Sequence, residues 1–198
     1  MYTFLALGDS YTIGEGVLLA ETYPCQAVRL LREKGLPFTS PEIIARTGWT
    51  TDELHSAIAG THLLPAYDLV TLLIGVNNQY RGRSIEEYKT QFESLLLQAI
   101  GFTTGRPDRV FVLSIPDWGV SPFSADRDRS AIGRQIDAFN AAAEQIARQH
   151  EVAFIDITTH ARMQEQPFAA DGLHPAGEQY RIWAEKLVEQ IIQRFAGQ

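Results

Sequence analysis

Short runs of apolar residues recur along the chain and are separated by longer stretches of mixed polarity. The runs are rich in Val, Ile, Leu and Phe and alternate little between apolar and polar positions, which is typical of strands buried on both faces of a sheet. They cover residues 2–7, 42–45, 69–74, 109–115 and 152–157. The pattern therefore predicts five buried strands.

The stretches between these runs carry apolar residues at helical spacing. Ser84 with Glu87 three residues later forms a capping-box pattern at the start of one such helix, which extends to residue 99. The other predicted helices cover residues 22–34, 51–58, 132–146 and 180–191. Because strands and helices alternate, we predict an α/β fold over residues 1–198: a single domain with a parallel sheet between two layers of helices.

Open parallel sheets bind ligands beyond the carboxyl ends of their strands. In the predicted fold the loops at that edge are residues 8–16, 46–50, 75–83, 116–127 and 158–174. Each loop contains an unusual polar, glycine or aromatic motif. In chain order the motifs contain Ser10, Gly48, Asn77, Trp118, and Asp171 with His174. The sequence thus predicts a functional site at this edge.

Each motif also has a simple structural interpretation. Gly-Asp-Ser is common in turns and helix caps, because Asp and Ser side chains bond to nearby backbone. Gly48 can supply a positive φ angle, and Asn77 can cap the helix that follows. Taken together, however, the motifs supply every group that acyl transfer needs: a nucleophile, a base, a carboxylate that orients the base, and donors for an oxyanion.

Four of these motifs, in this order, resemble those of the SGNH hydrolases of the GDSL esterase/lipase family. "GDS" at 8–10, Gly48, "GVNN" at 75–78 and "DGLHP" at 171–175 resemble its first, second, third and fifth motif blocks. The resemblance implies a flavodoxin-like, five-stranded sheet of order 2-1-3-4-5. It also implies a set of catalytic roles. Ser10 would be the nucleophile, His174 the base and Asp171 its partner, with Ser10, Gly48 and Asn77 forming the oxyanion hole.

The sequence departs from the family pattern at two positions. Tyr11 stands where leucine is usual, and we expect it to pack the turn or to line the acyl pocket. Asn78 stands where aspartate is common, so this position lacks a charge. Trp118 has two open interpretations, as ordinary packing or as a wall of the substrate site. The residues predicted to border the substrate are Asp9, Tyr11, Asn78, Tyr80 and Trp118, with Phe123 as a further aromatic candidate.

Composition narrows the possible functions. The net charge is −7 and no block of basic residues occurs, which argues against nucleic-acid binding. No apolar run reaches the roughly 18 residues of a transmembrane helix. No metalloprotease, P-loop or dinucleotide-binding motif occurs, so we expect neither a metal nor a cofactor. With one cysteine, Cys25, and no visible signal peptide, we expect a cytoplasmic protein, monomeric by default.

The expected activity is hydrolysis of small carboxylic esters, with broad or lysophospholipase-like specificity. Short strand connections predict a shallow site, which suits small acyl groups. A carbohydrate acetyl-ester hydrolase and an acyltransferase remain alternatives, because both would use the same triad. A non-catalytic module for lipid or glycan is a third alternative, although a binding module needs no complete triad.

Overall fold

A five-stranded parallel sheet forms the centre of the protein. The structure is a computed structural model, and it describes residues 1–163 and 167–195. The strands lie in the order β2-β1-β3-β4-β5, which confirms the predicted order. Their bounds are Phe4–Asp9 for β1, Glu42–Arg46 for β2, Leu69–Leu73 for β3, Val110–Leu113 for β4 and Ala153–Ile155 for β5.

Helices cover both faces of this sheet. In the described part of the chain they are α1 Ser10–Ile13, α2 Tyr23–Glu33, α3 Thr51–Ala59, α4 Val76–Tyr80, α5 Ile85–Phe102, α6 Arg129–Gln149, α7 Thr158–Met163 and α8 Gly177–Phe195. Helix α2 packs against α8, and α5 packs against α3 and α6. Right-handed crossovers place these two groups on opposite faces. No helix among these is long and apolar enough to cross a membrane.

The three central strands are buried along their whole length, whereas the edge strand β2 is not. Every residue of β1, β3 and β4 is buried, as their continuous apolar runs predict. Strand β2 has the same apolar character at Ile43 and Ile44, but its residues are only partly buried. It has only β1 as a neighbouring strand, so one side of it stays open. Strand position therefore accounts for a difference that the apolar pattern does not show.

Strands β4 and β5 are shorter than their apolar runs. The chain leaves the ladder after Leu113, where side chains replace the partner strand. The Asn140 amide bonds to both backbone groups of Ile115, at 2.8 and 3.0 Å. The Ser114 hydroxyl likewise accepts the backbone N–H of Ile157 at 2.9 Å. These contacts keep the carboxyl edge of the sheet ordered where the site loops begin.

Helix α5 begins at the predicted cap, but the cap is only half of a capping box. The Ser84 hydroxyl accepts the Glu87 backbone N–H at 3.1 Å. The Glu87 carboxylate does not return to Ser84, because it accepts from Arg83 and Gln91 instead. One reciprocal bond of the predicted box is therefore replaced by contacts between side chains.

Candidate active site

Ser10 lies at the sharp turn where β1 becomes α1. The Asp9 carboxylate caps this helix by accepting the Tyr11 backbone N–H at 3.0 Å. The turn requires glycine at position 8, since a Cβ there would lie 2.1 Å from Thr12 Oγ1 and 2.5 Å from the Leu73 carbonyl oxygen. The Ser10 hydroxyl makes no hydrogen bond to any residue in 1–163 or 167–195. The strand and the turn therefore hold an unpaired hydroxyl at the carboxyl edge of the sheet.

His174 and Asp171 meet within one short segment of the loop before α8. Nδ1 of His174 lies 2.6 Å from Oδ2 of Asp171. The other carboxylate oxygen accepts the backbone N–H groups of Leu173 and His174, at 2.9 and 3.0 Å. Partial burial acts to raise the pKa of Asp171, but these hydrogen bonds outweigh it and hold the pKa below its usual value. The carboxylate is thus kept charged and fixed beside the imidazole.

Ser10, Asn77 and His174 line one cavity of about 180 Å³. The rest of its wall is largely apolar and consists of Tyr11, Val76, Tyr80, Trp118, Phe123 and Leu173. Nε2 of His174 has no hydrogen-bond partner in the described part of the chain. The structure therefore brings an unpaired hydroxyl and an unpaired imidazole nitrogen to the same apolar cavity.

Asn77 borders this cavity from the first turn of α4. Its Nδ2 donates one hydrogen bond to the Trp49 carbonyl oxygen at 2.9 Å, and the second N–H of the amide bonds to none of the described residues. The preceding Gly75 has φ +132°, and a Cβ at that position would lie 2.6 Å from the Tyr88 ring. Only glycine fits this approach, which positions the start of α4.

Gly48 lies in the neighbouring loop and is not among the residues that line the cavity. It is the third residue of a turn closed by the Trp49 N–H on the Arg46 carbonyl, and its φ of +83° lies in the left-handed region that glycine adopts readily. Its N–H makes no hydrogen bond to any described residue. Asn77 joins this turn to the cavity through its bond to Trp49.

Three of the predicted pocket residues line the cavity: Tyr11, Tyr80 and Trp118. Trp118 is held by a hydrogen bond from Nε1 to Gln79 Oε1 at 2.7 Å. Its ring meets Tyr80 edge-on, with centroids 5.3 Å apart, and Phe123 at 6.2 Å. Tyr80 and Phe123 are about half exposed, so they form the rim of the cavity.

Asp9 and Asn78, also predicted to border the substrate, do not line this cavity, because both are fully buried. Oδ2 of Asp9 has no hydrogen-bond partner in the described chain. Desolvation by burial raises the pKa of Asp9 to about 7. Asn78 instead joins α4 to α3, since its amide pairs with the backbone N–H and the hydroxyl of Thr51, at 3.1 and 2.7 Å.

The sequence did not indicate Val76 and Leu173 as pocket residues. Each is an apolar neighbour of a predicted site residue, Asn77 or His174, and apolar residues in such positions usually belong to the core. Their proximity to the motifs was the only available signal. For a metal, the described ranges contain no group of three or more His, Cys, Asp or Glu side chains that could hold an ion.

Comparisons with solved structures support the fold. A lipase/acylhydrolase from Enterococcus faecalis superposes with a TM-score of 0.77 at 19% identity, covering 98% of this chain and 97% of that one. TesA superposes with a TM-score of 0.77 at 19% identity, covering 97% of this chain and 99% of that one. Axe2, an acetylxylan esterase from Geobacillus stearothermophilus, gives 0.74 at 19% identity, with 96% and 94% covered. At these identities the likeness shows the fold alone.

The sequence itself identifies the family. No curated protein matches the chain. The model of the GDSL-like lipase/acylhydrolase family matches residues 6–182, a range that includes every motif on which the resemblance depends. Taken with the sheet order and the arrangement of the motif residues, this match shows that the chain belongs to the GDSL-like lipase/acylhydrolase family.

Proposed function

We propose that the protein is a serine esterase that hydrolyses carboxylic esters with short acyl groups. One observation carries this proposal. Ser10 and His174 line the same cavity, and Ser10 Oγ and His174 Nε2 have no partner among the described residues. Oδ2 of Asp171 lies 2.6 Å from the other imidazole nitrogen, Nδ1. A nucleophile, a base and an orienting carboxylate in this order form a catalytic triad.

In the first half of the reaction, Ser10 Oγ attacks the ester carbonyl and transfers its proton to His174 Nε2. The negatively charged tetrahedral intermediate then collapses. The bond to the alcohol oxygen breaks, and the departing oxygen takes the proton from His174, so that an acyl group remains on Ser10. Asp171 stabilises the imidazolium that exists between these two steps.

In the second half, a water molecule attacks the acyl-serine carbonyl and gives its proton to His174 Nε2. Collapse of this intermediate breaks the bond to Ser10 Oγ, which regains a proton from His174. The carboxylic acid leaves and the enzyme returns to its starting state. An alcohol in place of water would make the same step an acyl transfer.

Three N–H groups are suited to bind the oxyanion: those of the Ser10 backbone, the Gly48 backbone and the Asn77 amide. The free second N–H of Asn77 and its place in the cavity wall support this role. The unpaired N–H of Gly48 supports the assignment of the neighbouring loop. Donors of this kind act on charge that develops in the transition state, and each typically contributes about 100- to 1,000-fold to the rate.

The size and lining of the cavity support short acyl groups. Its volume of about 180 Å³ is close to that of the roughly 150 Å³ engineered cavity that holds a benzene molecule. An acyl chain of about six carbons would therefore fill it. A longer chain would have to extend past Tyr80 and Phe123 at the rim.

A panel of p-nitrophenyl esters from acetate to decanoate, with a lysophospholipid and an acetylated sugar, tests this proposal. We expect turnover that is greatest for short chains and is abolished by Ser10→Ala. Ser56→Ala, an exposed serine on α3, is the matched control and should keep full activity. A fluorophosphonate should label the wild type and not Ser10→Ala. Turnover that survives Ser10→Ala, or an unlabelled and inactive wild type, would contradict the proposal, the latter favouring a binding module.

A further inference from the structure

Arg81 lies outside the cavity but connects the segments that carry two of the proposed oxyanion donors, Asn77 in α4 and Gly48 in the loop after β2. It follows directly after α4, and its backbone N–H bonds to the Asn77 carbonyl oxygen at 3.0 Å. Its guanidinium reaches across to the other loop, where Nη2 donates to the Gly48 carbonyl oxygen at 2.5 Å. One residue thus contacts both Asn77 and Gly48.

A second contact holds the guanidinium in this orientation. Nη1 of Arg81 lies 3.3 Å from Oε1 of Glu53, in the first turn of α3. The other oxygen of Glu53 accepts the Thr50 backbone N–H at 2.9 Å. Because Thr50 lies two residues after Gly48, the carboxylate that orients Arg81 also anchors the chain where it leaves this turn and enters α3.

Three consecutive residues, from Gly48 in this turn to Thr50 just after it, are therefore each bound by a different side chain. Arg81 binds the Gly48 carbonyl, Asn77 binds the Trp49 carbonyl, and Glu53 binds the Thr50 N–H. Glycine loses more conformational freedom on ordering than any other residue, so Gly48 needs external contacts to keep one orientation. Holding its carbonyl restricts the peptide on one side of the Cα and so limits how far its own N–H can turn.

We propose that Arg81 is a positioning residue for the oxyanion hole. By binding the Gly48 carbonyl, it keeps the Gly48 N–H oriented toward the same oxyanion as the Asn77 amide. This inference rests on the proposed esterase function. Arg81 does not line the cavity, so it acts through Gly48 rather than on the substrate. The interaction is a charge-assisted hydrogen bond from a rigid, planar donor, which fixes direction as well as distance.

Stability and kinetics together distinguish a positioning role of Arg81 from a purely structural one, which would lower the melting temperature. The ion pair of Arg81 with Glu53 is well exposed on both sides, and such pairs contribute little to stability. Removing the guanidinium should therefore leave the melting temperature almost unchanged. A positioning role predicts that kcat falls while KM stays the same, because oxyanion donors bind the transition state more strongly than the ester.

Arg81→Met tests the inference, with Arg83→Met as the matched control. Arg83 lies two residues away and makes ion pairs with Asp52 and Glu87 at 2.7 and 3.1 Å, but it does not bond to Gly48. We expect Arg81→Met to lower kcat for p-nitrophenyl butyrate by about tenfold or more, with KM within about twofold of the wild type. Arg83→Met should keep kcat within about twofold.

An arylboronic acid provides a readout that is independent of turnover, since its serine adduct carries a negative charge like that of the intermediate. Its inhibition constant should rise for Arg81→Met in parallel with the fall in kcat/KM. Arg81→Lys keeps the charge but lacks the planar fork, so it should show the same pattern to a smaller degree. It also serves as the test variant if Arg81→Met does not fold.

The outcomes separate the two proposals. A Ser10-dependent wild-type esterase whose Arg81 variants keep normal kcat and normal boronate affinity would overturn the inference and leave the proposed function standing. A fall in kcat that is equal in Arg83→Met would also overturn it, because the effect would then come from charge in general. A wild type without Ser10-dependent turnover would overturn both.

Discussion

The Asp171 carboxylate binds the His174 side chain with one oxygen and the His174 backbone with the other. Oδ2 lies 2.6 Å from Nδ1, and Oδ1 lies 3.0 Å from the backbone nitrogen. The carboxylate therefore cannot rotate without breaking bonds to the residue that it orients. This double attachment sets the imidazole tautomer, with the proton on Nδ1 and the lone pair of Nε2 directed away from Asp171.

Replacing Asp171 with Asn should leave the loop folded and disable His174 as the proposed base. The amide oxygen can still accept the two backbone N–H groups, but the NH₂ group would face Nδ1 and favour the opposite tautomer. We expect kcat to fall by about 100- to 10,000-fold with little change in KM. Steady-state kinetics with p-nitrophenyl butyrate measure this change. Asp126→Asn, an exposed carboxylate in the loop after β4, is the control, and equal kinetics for both variants would contradict the role of Asp171.

Asn77 and Asn78 are adjacent in sequence but should respond differently to alanine. Asn77→Ala removes a cavity-facing donor, so kcat should fall by about 100- to 1,000-fold. Asn78→Ala removes two buried hydrogen bonds to Thr51, so the free energy of unfolding should fall by about 1–3 kcal/mol. Kinetics and urea denaturation on both variants separate the effects. If Asn77→Ala kept wild-type kcat, its amide would have no place in the oxyanion hole.

Trp118 should limit the acyl chain length. It lines both the cavity at Ser10 and a second, smaller cavity bordered by Pro116 and Trp183. Trp118→Leu would enlarge the cavity at Ser10 toward this second space, and each additional buried methylene is worth about 0.8 kcal/mol. We expect the ratio of kcat/KM for octanoate to that for butyrate to rise roughly tenfold or more.

The control for Trp118 is Phe102→Leu. Phe102 packs on Tyr67 near the amino end of β3, whereas the cavity lies at the carboxyl ends of the strands. Its substitution should leave the preference for acyl length unchanged. A Trp118→Leu enzyme with an unaltered preference would show that Trp118 only packs the loop, the other interpretation that the sequence left open.

Asp9 should make stability depend on pH. Burial raises its pKa from 3.8 to about 7, so the fold favours the protonated carboxyl. This contribution is fully present below pH 3.8 and is lost as the pH rises through about 7. Asp9→Asn keeps an oxygen for the Tyr11 N–H but does not titrate. Between about pH 4 and pH 7, the free energy of unfolding of the wild type should therefore fall relative to that of Asp9→Asn, by up to about 4 kcal/mol.

Urea denaturation of both proteins at several pH values in this window tests the prediction. Asp126→Asn, at an exposed site, provides the comparison and should run parallel to the wild type throughout. Parallel curves for the wild type and Asp9→Asn would show that the buried carboxyl has the same pKa in the folded and unfolded chain.

Continuous apolar runs predicted the five strands, most clearly β1, β3 and β4, because these three are buried along their whole length and are therefore mostly apolar. The strand order came only from the family resemblance, since apolar runs contain no information about which strands are neighbours. The placement of Ser10, Asn77 and His174 near one edge followed from the rule that parallel strands end together.

Side-chain direction was harder to predict than position. Asp9 and Asn78 lie next to Ser10 and Asn77, and both were expected near the substrate, yet their side chains point into the protein. Asp9 turns inward to cap α1 at the Tyr11 N–H, which is a local contact. Asn78 turns inward to bind Thr51, a tertiary contact that no local spacing shows. The bond between Arg81 and Gly48 had no sequence signal either, because it crosses between two loops.

The position of Ser10 near the start of the chain and of His174 beyond the last strand has a consequence for how activity arises. Strand β1 leads into Ser10, and the other four strands lie between Ser10 and His174 in sequence. A chain that ends before β5 therefore lacks His174 and cannot hold both residues in one cavity. The proposed catalysis is thus a property of the finished fold and not of any fragment. A released ester product would report that the whole chain, from its first strand to its last loop, has reached its native arrangement.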